Sequence, residues 1–167
     1  KKLLKKNNVN LNIILNTKKI YKNIQGEARN LRYQKLAEYC KRKKINTLLT
    51  AHNLEDQVET FLIRLSRGSG VQGLSSMSNV VKLDKDIRLI RPLLENKKNE
   101  LISVSKLVFK KYFKDPSNID KKFLRTQMRN VIEILEKRGI KRDQIIKSIN
   151  NLAKSRETIN SYLERVY

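Results

Sequence analysis

From Asn10 to Asn16 the sequence reads NLNIILN, an Ile/Leu run bounded by Asn that predicts a short strand. A basic connection containing Gly26 follows. Tyr33, Leu36, Ala37 and Cys40 then recur at i, i+3, i+4 and i+7, which predicts an amphipathic helix from Ala28 to Lys43. The compact run Thr47 to Ala51 (TLLTA) suits a buried parallel strand. Val58, Phe61, Leu62 and Leu65 share one face of a second helix, which Gly68-Ser69-Gly70 should stop. Ile87 to Ile90 (IRLI) is a candidate late strand. Asn96 is a candidate cap for a helix to about Lys111, with Leu101, Val104 and Val108 inward.

After Asp115-Pro116-Ser117-Asn118 the strand signal disappears. Leu124, Met128, Val131 and Leu135 mark one helix, closed by Gly139. Ile145, Ile149, Leu152, Ile159, Leu163 and Val166 mark another. The alternation of strand and helix predicts an α/β fold, a partial doubly wound parallel sheet, over residues 1–115. Residues 116–167 are expected to be an all-helical region leading to a second domain.

Charge changes the picture more than composition does. Lys and Arg number 38 against 16 acids, a net charge of +22, and a field of that size attracts polyanions. Abundant Lys, Asn and Ile also fit simple codon bias, and the excess forms no single dense basic run. Cys40 is the only cysteine, which excludes an intrachain disulfide or a CxxC pair, and a lone His52 cannot complete a Cys-based zinc site. Cys40 is expected to fill a helix core position. A reducing, cytoplasmic setting fits, and no apolar run approaches membrane-spanning length. The chain starts at Lys1 without a signal-peptide pattern.

The stretch Thr50 to Leu74, TAHNLEDQVETFLIRLSRGSGVQGL, holds the candidate chemistry. His52 ends a predicted buried strand, and ligands of doubly wound sheets bind outside the carboxyl ends of strands. Asp56 and Glu59, three apart, lie on one helix face opposite the apolar stripe. Two carboxylates and an imidazole near one strand end suit a Mg²⁺–nucleotide complex. The same acids equally complement a helix dipole, Glu59 can pair with a nearby Arg, and a strand-end His is often structural.

Three ordered motifs narrow the choice. AHNLEDQVETFLIRLSRGSGVQGLSSM is similar to the stretch that follows the nucleotide loop in tRNA(Ile)-lysidine synthetases of the PP-loop ATP pyrophosphatase superfamily. Arg91-Pro92-Leu93-Leu94, Asp115-Pro116-Ser117-Asn118, then Asp120, Phe123, Arg125 and Arg129 resemble a second family block in matching spacing. Glu27-Ala28-Arg29-Asn30-Leu31-Arg32-Tyr33 resembles the family's EAR-x-x-RY helix start. The resemblance runs from about Lys1 to Lys137. Asn53 stands where the family usually has a second His, Glu55 where it has Asp, and Thr126 where it commonly has Asn. No Ser-Gly-Gly occurs, so the family's SGGxDS loop would lie upstream of Lys1, and Gly68-Ser69-Gly70 after a helix cannot replace it.

The resemblance implies a ligase that uses ATP and Mg²⁺ to adenylate the wobble cytidine of an isoleucine tRNA and attaches free L-lysine. It implies His52, Asp56 and Glu59 at the reacting centre, with Asp56 and Glu59 organising Mg²⁺ or the lysine ammonium. Arg29, Arg32, Arg64, Arg67, Arg91, Arg125 and Arg129 would face nucleotide or tRNA. Arg64 and Arg67 equally suit a solvated helix end, and Arg129 equally suits a bridge to Glu133. Glu55 is expected to face solvent. No membrane partner is expected, and a homodimer stays open. The alternatives are a tRNA 2-thiocytidine synthetase, which a single cysteine disfavours, and a basic RNA-binding module with no activity of its own.

Overall fold

The computed structural model describes residues 2–17, 20–21, 24–113 and 124–166. Its contacts divide the chain into two compact units: Lys1–Leu49 with Val80–Ile90, and Thr50–Asn79 with Arg91–Tyr167. The boundary expected at Asp115–Asn118 lies outside the described residues, as do Asp120 and Phe123.

The first unit holds helices α1 (Lys2–Lys6) and α2 (Ile24–Arg42) and a three-stranded sheet of β1 (Thr47–Leu49), β2 (Val80–Asp84) and β3 (Ile87–Ile90). The sheet order is β1-β3-β2. β1 runs parallel to β3, with Leu48 opposite Leu89, so the expected parallel α/β pairing is present. β2 is antiparallel to β3, which makes the sheet mixed. Its sequence, VVKLD, had given no strand signal because Val80 and Val81 are exposed and the pattern does not alternate cleanly. Lys85-Asp86 turns the hairpin, and the Lys85 amide donates to Asp84 Oδ1 at 2.7 Å. Lys41 Nζ meets Asp84 Oδ2 at 2.6 Å, and that hydrogen bond holds the Asp84 carboxyl below its ordinary range.

α2 begins four residues earlier than its apolar spacing indicated and takes in Gly26, with Glu27 in its first turn and Lys41 and Arg42 in its last. Ala37 and Cys40 pack on Ile87, with Leu48 and Leu83 alongside. Cys40 is buried, as its place on the stripe required. Residues 10–16 form no strand, contrary to expectation. Ile13 and Leu15 are 72% and 76% exposed. An apolar run becomes a strand only where a neighbour supplies ladder bonds, and composition does not report that neighbour.

The chain leaves the sheet at Leu49 and Ile90, the carboxyl ends of the two parallel strands, into the segments that build the second unit. This unit is helical: α3 (Leu54–Leu65), α4 (Val71–Leu74), α5 (Lys98–Phe109), α6 (Leu124–Lys137) and α7 (Arg142–Val166). Leu54, Val58 and Leu62 of α3 pack against Ile132 of α6 and Ile145 and Ile149 of α7. On α6 Thr126 and Ile132 are buried and the expected Met128 and Leu135 pack on the core, while Val131 is 37% exposed and does not. Val104 and Val108 of α5 are also exposed rather than inward. Ile159, Leu163 and Val166 extend the α7 stripe beyond the core and are exposed.

Candidate active site

α3 presents the candidate residues because its first turn is firmly capped. Asn53 Oδ1 accepts from the Asp56 amide at 3.1 Å, and Asp56 Oδ2 accepts from the Asn53 amide at 3.0 Å. This reciprocal box satisfies two helix-end amides, with Asn53 as the cap. The Asp56 carboxylate therefore carries a structural bond as well as any chemistry. Just ahead of the cap, His52 Nδ1 lies 2.9 Å from Thr50 Oγ1.

Glu59, one turn on, is 2% exposed. Its Oε1 receives Arg129 Nε at 2.6 Å, and its Oε2 is buried without a hydrogen-bond partner. Arg125 Nη1 stands 3.8 Å from Asp56 Oδ1, a longer and more exposed pairing. α6 thus sets two arginines, four apart, against two carboxylates three apart on α3. The pairing weighed for Glu59 is present, and its partner is Arg129.

A cavity of about 180 Å³ opens beside this pair, lined by Glu55, Glu59, Glu133, Lys98, Arg129 and Arg142 among others. Of the three expected catalytic residues, Glu59 is the one that lines it. The orphaned Glu59 oxygen is a donor of the kind a hard cation or an ammonium takes. Among the described residues no three Asp, Glu, His or Cys groups gather as a metal cluster. A Mg²⁺ here fits the donor set only if substrate phosphate and water supply most of its ligands, its usual habit. Glu55 does not simply face solvent: its Oε2 accepts the Lys98 amide at 2.9 Å, tying α3 to the start of α5.

The arginines divide by what they touch. Arg64 Nη1 donates to Gly73 O at 2.7 Å and Ser76 O at 2.9 Å. Arg91 is 6% exposed and donates from Nη1 to Ser78 O at 2.7 Å, while its Nε is buried without a partner. Arg67 is exposed. Arg29 and Arg32 belong to the other unit, where both stack on the Tyr33 ring, at 5.1 and 5.5 Å from its centroid. Two further residues shape the second unit and escaped the sequence reading. Gln57 lies seven before Arg64, hence on its helix face, which was the available signal. Arg156 reaches Ser75 and Ser78 across about eighty residues of chain, and no local pattern could have announced it.

A profile of the PP-loop domain matches residues 1–135. The chain belongs to the PP-loop domain family. This PP-loop chain is 40% identical over 151 residues to a tRNA(Ile)-lysidine synthase from Wolbachia pipientis wMel, covering 89% of the chain and 35% of that relative. It is 41% identical over 111 residues to the enzyme of the same name from Orientia tsutsugamushi, covering 66% of the chain and 25% of that relative. The resemblance read from the three motifs is therefore present over most of this chain. The chain spans about a third of the length of the Wolbachia relative. In fold it is similar to the U34-tRNA thiolase NcsA from Methanococcus maripaludis, with a TM-score of 0.69, 19% identity, and coverage of 92% of this chain and 54% of that one. Among the described residues no helix is long and apolar enough to cross a membrane.

Proposed function

We propose that the protein containing this PP-loop chain is a lysidine-forming ligase acting on an isoleucine tRNA. The observation that carries the reading is 40% identity across 89% of the chain to a tRNA(Ile)-lysidine synthase. ATP transfers its adenylyl group to the C2 carbonyl oxygen of the wobble cytidine and releases pyrophosphate. The ε-amine of lysine then attacks C2, the C2–O bond breaks, AMP leaves, and the amine's surplus proton passes to a base.

In this chain the Glu59 carboxylate, with one oxygen held by Arg129 and one open, is a ready partner for the lysine ammonium or for Mg²⁺. Mg²⁺ would supply charge neutralisation of the nucleotide phosphates. Asp56, fixed in its capping box, adds a second negative charge one turn away, and His52 steadies phosphate or moves a proton. Exposed Arg67 and partly exposed Arg125 are the side chains best placed for RNA phosphate, and Arg29 and Arg32 add charge in the other unit. Arg64, Arg91 and Arg129 are engaged with internal partners.

The test is AMP release with ATP, Mg²⁺, lysine and tRNA. The full-length protein is expected to release AMP only when all four are present. The 167-residue chain alone, which carries no Ser-Gly-Gly cradle, is expected to release none. Turnover by the chain alone would show that the anion cradle lies within it.

A further inference from the structure

The segment Gly73 to Ser78 is gripped from several directions. Gln57 binds both backbone groups of Met77: its Nε2 donates to Met77 O at 2.9 Å, and its Oε1 accepts the Met77 amide at 2.8 Å. Ser76 Oγ donates to the Gln57 carbonyl at 3.1 Å. Arg64 holds the carbonyls of Gly73 and Ser76, and Arg91 holds that of Ser78. Arg156 of α7 donates to Ser75 Oγ at 2.7 Å and Ser78 Oγ at 2.8 Å. Ser75, Ser76 and Met77 are all buried.

Ser76 sits at φ 57°, the left-handed region that a serine occupies only when its surroundings over-determine it. The loop is therefore a stiff template. Gln57 is the α3 side chain that grips one loop residue, Met77, at both its N–H and its C=O, and it stands one residue after Asp56 and two before Glu59. The apolar face of α3, Val58 and Leu62, fixes the helix against the core but permits small slides, since such contacts have no direction. Hydrogen bonds at 2.8 and 2.9 Å do have direction.

We propose that Gln57 is a positioning residue: by locking α3 to the Met77 peptide it sets where the Asp56 and Glu59 carboxylates stand. This rests on the ligase reading above. Misplacement of a reacting group by about 1 Å costs on the order of 100-fold in rate. In the full-length enzyme Gln57→Met, similar in shape but unable to form either bond, is expected to lower kcat by roughly 10- to 100-fold. KM for tRNA should change by less than about threefold, because the remote RNA contacts are untouched. Rates are taken well below the melting temperature of each variant, so lost stability alone does not register. An unchanged kcat beside a lowered melting temperature would overturn the proposal and leave Gln57 a fold residue.

Should Gln57→Met fail to fold, Gln57→Glu can still accept the Met77 amide but loses the bond to Met77 O, and is expected to lower kcat several-fold; no change would overturn the proposal equally. A crystal structure of the folded variant provides a readout independent of catalysis. The Glu59–Arg129 contact should shift from its 2.6 Å setting, and an unmoved pair contradicts positioning. Wild-type enzyme that forms no lysidine would count against the ligase reading and not against this geometry.

Discussion

The two acids on α3 differ in what their loss would do. Asp56 has 21% side-chain exposure and keeps a cap bond that an asparagine can also accept. Asp56→Asn in the full-length enzyme should therefore leave the fold intact while lowering kcat on the order of 100-fold, through lost electrostatic stabilisation. Glu55→Gln is the comparison, since its amide oxygen can still accept from Lys98 and its position lies outside the proposed trio. Equal loss in both would contradict the assignment of Asp56. Glu59 presents the opposite case. Removing its partner with Arg129→Ala leaves a buried carboxylate with neither oxygen bonded to that arginine, and should cost about 3 kcal/mol in urea unfolding. Arg125→Ala, across a 3.8 Å gap at a more exposed position, should cost less than about 1 kcal/mol. Similar losses would mean that the two arginines act as one surface edge, which their spacing alone had suggested.

At the scale of elements, Gly139 closes α6 at φ 90°, with its amide bonded to Glu136 O and the following Ile140 amide to Leu135 O. An added Cβ would meet nothing within 4 Å, so Gly139→Ala isolates the backbone cost. A loss of about 1 to 2 kcal/mol in thermal unfolding is expected, and no loss would mean that the helix end relaxes freely. This stop was legible because glycine chemistry is local. The stripes of α2, α3 and the start of α7 were legible for the same reason, as was the parallel pairing of β1 with β3. Residues 10–16 and strand β2 were misread in opposite senses, since strand formation depends on a distant partner. The family motifs located α3, yet the grip of Arg64, Arg91 and Arg156 on the loop 73–78 joins residues far apart in sequence. Sequence spacing marks those arginines as cationic without saying that their donors are taken.

The molecule as a whole carries a net charge of +22 and two compact units, one with the mixed sheet and one with the α3 carboxylates and their arginines. That excess charge favours encounter with a polyanion such as tRNA but specifies no reaction. In the proposed ligase, the carboxylate pair of α3 is what helps to specify it. The decisive measurement is mass spectrometry of the nucleosides from isoleucine tRNA after incubation with the full-length protein, ATP, Mg²⁺ and isotopically labelled lysine. A labelled lysine–cytidine adduct is expected at the wobble position, formed on the order of 100-fold more slowly when Asp56→Asn replaces the wild type. An unmodified wobble cytidine, or one bearing sulfur, would contradict it.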